Sequence, residues 1–171
     1  MKKRDKKPDR SKMTDEEKLL ELMDRARVFF IATMDGDQPR VRPFGAHLYR
    51  DGTLWFGTGE HKNVYRQLQE NPKVEISCYE GGDWLRLTGT AVFVDDKEAA
   101  KDMLAHAPRM AKLFYKVPGF VQHAILKKFP GLRNMVAPDV KYEDSMKLFY
   151  IKDPKATISH LREPDEELHL G

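Results

Sequence analysis

Between Val28 and Val94 short segments rich in β-branched and aromatic residues alternate with Asp-Gly, Gly-Gly and Pro turn formers, a pattern that points to an antiparallel meander. Val28-Phe29-Phe30-Ile31-Ala32-Thr33 is closed by Asp35-Gly36-Asp37-Gln38-Pro39. A second strand is expected over Arg40 to Tyr49. Asp51-Gly52 then marks a tight hairpin into a third strand, Thr53 to Thr58, because both turn positions tolerate positive φ. Lys73 to Tyr79 and Trp84 to Val94 alternate around Gly81-Gly82-Asp83 as a second hairpin. At least five antiparallel strands result, and several short strands in sequence suggest a barrel.

Helical text flanks and interrupts the strands. Thr14-Asp15-Glu16-Glu17 matches a capping box, and Leu19, Leu22, Met23 and Ala26 recur at helical spacing, which predicts a first helix to about Arg25. Residues 61 to 70 predict a short surface helix stopped by Asn71-Pro72. After Asp95-Asp96 a helix should run to near Pro108, and a Met, Phe and Lys-rich stretch of helix and loop should continue to about Met135. Lys147 to Ile151, an Asp153-Pro154 turn and Ala156 to Ile158 supply one or two closing strands. The expected organisation is a basic disordered tail over 1–13, one domain over 14–161 with a helical insert at about 108–145, and an acidic tail over 162–171.

The 171 residues suffice for one domain with a core and not comfortably for two. No apolar run approaches the ~20 residues of a membrane span. The first twelve residues hold seven Lys or Arg against two Asp, so a net charge of +3 conceals −2 over the remainder. The basic excess is a tail effect, and with no aromatic interleaving and no DNA-binding motif it argues against a nucleic-acid protein. The N-terminus lacks the apolar core of a secretory signal, which fits a cytoplasmic setting. Cys78 shares the alternating face of Val74 and Ile76 and reads as a buried strand residue.

No catalytic constellation stands out. The six histidines show no metal-ligand spacing, the lone cysteine cannot build a zinc site, and neither a Gly-x-Gly-x-x-Gly nor a Walker sequence occurs. Arg40-Val41-Arg42-Pro43-Phe44-Gly45 is the informative segment. Proline and glycine within a strand favour an edge, a bulge or close backbone approach, while Arg40, Arg42 and Phe44 alternate onto one face. That face offers guanidinium donors for a phosphate beside an aromatic, and it equally suits a solvated edge strand with salt bridges. Thr58-Gly59-Glu60-His61-Lys62-Asn63 ends a strand and opens a helix with a lysine, a combination that favours phosphate or is simply structural. Trp84 faces opposite to Leu85 and Leu87 and could pack on a flavin, on a neighbouring subunit or in the core.

The ordered set, Phe29 to Thr33, an Asp-Gly turn, Pro39-Arg40-Val41-Arg42-Pro43, Asp51-Gly52, Leu54-Trp55-Phe56-Gly57-Thr58, Lys62, Asn71-Pro72 and Trp84-Leu85-Arg86, resembles the FMN-binding split-barrel family of pyridoxamine 5′-phosphate oxidase-like proteins. The Arg-Pro-Phe-Gly and Asp-Trp-Leu-Arg segments look like the branch related to nitroimidazole-resistance proteins, not the vitamin-making oxidase. The resemblance implies a mainly β fold with α, an antiparallel split β-barrel of at least six strands with flanking helices and a helical insert before the last strands. It implies FMN, with Arg40, Arg42, Thr58, His61 and Lys62 toward the phosphate and ribityl chain, and with Pro43, Phe44 and Gly45 bordering the isoalloxazine. It further implies a homodimer with the FMN site at the subunit interface, to which Trp84 could contribute, and a small-molecule substrate or NAD(P)H. The implied activity is flavin-dependent oxidation and reduction. A non-catalytic flavin-binding or redox-sensing module stands as the alternative, as does a split barrel that holds haem or deazaflavin through His47, His123 or His160. The insert is expected either to cover the flavin or to pack as an amphipathic helix pair.

Overall fold

The structure is a computed structural model that describes residues 8–107, 109–134 and 136–170. Residues 1–7, most of the expected basic tail, and Pro108 and Met135, which were to bound helical segments, lie outside the described residues. Helix α1 (Asp15–Ala26) opens on the expected capping box: the Thr14 hydroxyl accepts from the Glu17 amide and the Glu17 carboxylate accepts from the Thr14 amide. Such a cap stabilises a helix by about 1 kcal/mol. The helix buries Leu19, Leu22 and Met23.

Eight antiparallel strands follow: β1 (Phe29–Asp35), β2 (Gln38–Phe44), β3 (Leu48–Arg50), β4 (Thr53–Gly59), β5 (Lys73–Glu80), β6 (Asp83–Val94), β7 (Met146–His160) and β8 (Glu166–Leu168). Their order is β2-β1-β5-β6-β7-β4-β3, with β8 paired to β7. β1 and β4 are far apart in that order, yet the Phe29 and Phe56 rings meet at 5.4 Å, so the sheet coils on itself around a shared core. Phe56 also stacks on Phe149 at 5.6 Å, and Ile31, Ile76, Leu85, Leu87 and Ile158 complete the buried centre. Cys78 belongs to that centre, as its alternation indicates, and burial pushes its thiol up to about 11. The architecture is a split β-barrel, mainly β with α.

Four local expectations change. The strand expected over Arg40 to Tyr49 is two strands, because Gly45–His47 leaves the ladder and only Leu48–Arg50 returns to pair with β4. The expected Asp153-Pro154 turn is a bulge inside one continuous fifteen-residue strand. Asp153 takes the left-handed φ of +52°, and opposite it a Cβ at Gly89 would stand 2.9 Å from the Lys152 carbonyl oxygen, so the bulge requires glycine there. Within the C-terminal segment expected as an acidic tail, Glu166–Leu168 adds β8 and Leu168 is buried. In the basic N-terminal segment, Arg10 pairs with Glu21 and with Asp83, so this part of the expected disordered tail is fastened to the barrel.

The remaining helices sit where they shape a site. Helix α2 (Asn63–Glu70) follows β4, and α3 (Lys97–His106) follows β6. The insert consists of α4 (Arg109–Phe114), α5 (Gly119–Lys128), a 3-10 turn (Pro130–Asn134) and α6 (Tyr142–Ser145). Ala107, Ala111, Phe114, Leu126 and Val136 give it a small core of its own.

Candidate functional site

The second half of β2 carries the site. Arg42 reaches inward from β2, where its guanidinium donates to the Thr33 hydroxyl at 2.5 Å and to Gln67 Oε1 at 2.6 Å. The same Gln67 oxygen accepts from the Thr33 hydroxyl at 2.7 Å. Thr33 and Gln67 are buried, so β1 and α2 together fix the guanidinium plane. Burial pushes Arg42 below its ordinary value, with Arg40 adding to the effect. Arginine nevertheless remains charged, and among the described residues no carboxylate is hydrogen-bonded to it.

Lys62, the residue before the first turn of α2, is half-buried, and burial lowers its pKa. No ion pair or hydrogen bond is recorded for its ammonium among the described residues. A desolvated, unpaired cation beside the α2 N-terminus is costly without an anion. His61 is exposed, and its ring occupies the space a side chain at Gly59 would need, 2.6 Å from that Cβ position.

Two recesses share Arg42, Lys62 and Val64. One, of about 280 Å³, gathers cationic side chains: Arg42, Lys62 and, from the 3-10 turn of the insert, Arg133, beside His61 and Asn63. The other, of about 480 Å³, is largely apolar. Pro43, Phe44, Gly45 and Ala46 form one wall, Gly57 and Met146 the strand side, and Ala107, Ala111 and Tyr142 the wall given by α3's end and the insert. Its size lies within the range of small-molecule and cofactor sites. Gly57 matters to that space, since a Cβ there would stand 2.3 Å from Met146 Sδ. Burial, and then the neighbouring Tyr115, push the pKa of the Tyr142 phenol up, so this lining residue stays protonated.

Of the residues singled out in the sequence, Arg42, Pro43, Phe44, Gly45, His61 and Lys62 come together here. Three do not line either recess. Arg40 turns away to pair with Asp35, itself held by Arg66. Thr58 alternates onto the buried face with Leu54 and Phe56, where its hydroxyl has no hydrogen-bond partner among the described residues. Trp84 lies on the outer face of β6 opposite Tyr79 and Ser159. The three histidines considered for haem are also elsewhere: His47 lies beside Phe29 and Asp24, His123 pairs with Asp139, and His160 with Asp83. Arg133, Tyr142, Ala107 and Ala111 were not signalled by any local motif, because the insert reaches the site only through tertiary packing.

Among the described residues no helix is long and apolar enough to cross a membrane, and no group of three or more His, Cys, Asp or Glu could hold a metal ion.

The chain's relatives agree with this architecture. It is 30% identical to a nimC/nimA family protein of Clostridium acetobutylicum, over 88% of this chain and 89% of that one, with a TM-score of 0.61. General stress protein 26 of Bacillus anthracis is 17% identical, with 90% and 98% covered and a TM-score of 0.57. A pyridoxamine 5′-phosphate oxidase-related, FMN binding protein of Nostoc punctiforme is 19% identical, with 85% and 83% covered and a TM-score of 0.50. These last two likenesses show the fold. No curated protein matches the chain. The sequence profile of pyridoxamine 5′-phosphate oxidase matches residues 15–139, from α1 into the insert, and the chain belongs to that family of split barrels.

Proposed function

We propose that this protein binds FMN and uses it as a flavin-dependent oxidoreductase that acts on a small-molecule substrate or NAD(P)H. The observation that carries the reading is the junction of a cationic recess with an apolar one at Arg42, Lys62 and Val64. A phosphate ester joined to a flat, extended ring system is complementary to that pair. The unpaired Lys62 ammonium and the space kept by Gly57 fit the two ends of such a ligand. The FMN binding named for the Nostoc relative supports the same choice.

When bound, the isoalloxazine supplies hydride and electron transfer, and the protein's task is binding, orientation and exclusion of water. Lys62 and Arg42 neutralise the phosphate end, Arg42 being held rigid by Thr33 and Gln67. Phe44 and Pro43 provide apolar surface for the ring end. Tyr142 lines the same cavity and keeps its phenol protonated. This division of labour accounts for a site without a triad or a carboxylate pair.

Assembly is part of the proposal. The outer face of β2, β1 and β5 exposes Val41 at 65%, Phe30 at 47% and Tyr79 at 61%, which supports a homodimer formed through this sheet face. Trp84 on the adjoining β6 surface would then approach a site from the partner. The buried Cys78 thiol suits a reducing, cytoplasmic setting.

The test is the visible absorption of the purified protein with and without added FMN. The two bands of oxidised flavin, retained through gel filtration and lost in an Arg42→Ala, Lys62→Ala double variant, are the expected result. A haem-type band, or no retained chromophore, would overturn the cofactor. NADPH consumption by the loaded protein then separates an enzyme from a flavin carrier.

A further inference from the structure

The cationic recess has one wall that the barrel does not provide. Arg133 belongs to the 3-10 turn after α5, far along the chain from Arg42 and Lys62, yet it lines the same space as His61, Lys62 and Asn63. Residues 103–138 carry six Lys or Arg and no Asp or Glu, and the insert's later acids Asp139 and Asp144 pair with His123 and Lys97 instead of Arg133. No ion pair or hydrogen bond is recorded for Arg133 among the described residues.

Arg42 cannot fill this role alone. Each of its terminal nitrogens already spends an N–H on Thr33 or Gln67, so the fork is held by the barrel and Arg42 contributes chiefly charge to the recess. Lys62 provides a point charge from the barrel side. An exposed guanidinium facing it across the recess provides the planar, forked donor set that matches phosphate oxygens. Two unpaired cations in a shared recess repel each other, and an anion with two negative charges removes that penalty.

We infer that Arg133 is a phosphate-binding residue, by which the helical insert clasps the cofactor's phosphate against the barrel and selects phosphorylated over unphosphorylated flavin. The inference rests on the FMN reading above. It gives the insert a role distinct from shaping the ring cavity. The cofactor is gripped from both sides, so the phosphate adds a tie between the insert and the barrel to the packing that already joins them.

The experiment compares FMN with riboflavin, which lacks the phosphate, by quenching of flavin fluorescence on titration with wild-type protein, Arg133→Ala and Lys127→Ala. Lys127 is an exposed cation of the same insert outside the recess. The expected result is an FMN affinity about tenfold weaker in Arg133→Ala, as for loss of one charge-assisted hydrogen bond. Riboflavin affinity should stay unchanged, and Lys127→Ala should bind both like wild type. An Arg133→Ala affinity for FMN equal to wild type, an equal loss for riboflavin, or an equal loss in Lys127→Ala would each overturn the clasp while leaving FMN binding intact. Failure of the wild type itself to bind FMN would overturn the cofactor reading, and the clasp with it.

Discussion

Arg42 on β2 and Gln67 on α2 are joined by a 2.6 Å hydrogen bond, and the acceptor oxygen is shared with the Thr33 hydroxyl. Gln67 is therefore the pivot that aims the guanidinium. Gln67→Met keeps the volume and removes the acceptor, leaving a half-buried charge with unmet donors. The expected cost is about 1–3 kcal/mol in urea unfolding of the cofactor-free protein, together with weaker FMN binding. Unchanged stability would show that the triangle does not hold Arg42.

Gly57 keeps the ring cavity open. Gly57→Val forces Met146, a flexible side chain, out of the 2.3 Å approach and into that space. Valine suits a strand, so the melting temperature should move little, whereas flavin affinity should fall by about tenfold or more. A variant that binds flavin normally would place the ring elsewhere.

Lys62 links stability to ligand. Burial lowers its pKa, so the folded cofactor-free protein disfavours the ammonium. That penalty is present at neutral pH and fades as the pH rises from the lowered value to the ordinary one. Lys62→Met should thus raise the melting temperature of the cofactor-free protein and abolish the stabilisation that FMN gives the wild type. FMN affinity in the wild type should decline as the pH climbs through the lowered pKa. A melting temperature that falls in Lys62→Met would contradict the unpaired buried charge.

His47 should mark the acid side. Burial against Phe29 lowers its pKa, partly offset by Asp24. A group depressed in this way stabilises the fold above its ordinary value near 6.5, and the contribution is lost as the pH falls through the folded value. Below about pH 6.5 the wild type should lose thermal stability more steeply than His47→Gln. Parallel pH profiles would remove His47 from the account.

Much of this was legible locally. The Asp51-Gly52 hairpin reads directly because its two positive φ angles, 53° and 72°, are demands of the turn itself. The capping box of α1 and the alternation around Cys78 are likewise short-range. Arg42, Phe44 and Lys62 were found because strand alternation and a strand-to-helix junction place them without knowledge of the rest. What escaped depends on partners distant in sequence. Arg40 shares a face with Arg42, but Asp35 across the first hairpin captures it. The Asp153-Pro154 pair is a turn signal that β6 overrules by pairing on both sides of it. Arg133 and Tyr142 carry no motif, since only the packing of the insert brings them to the cavity.

Strand β7 pairs with β6 along one edge, while the other edge is taken first by β4, through Tyr150, and later by β8, at Ala156–Ile158. Only three residues close that second stretch. Without them its amides and carbonyls would form an open template, flanked by the apolar Ile158 and Ala156, onto which another chain's strand could add. Removal of residues 163–171 should leave the barrel folded yet produce concentration-dependent light scattering. Strand β8 covers that edge, so three residues stand between the barrel and strand addition by a second copy.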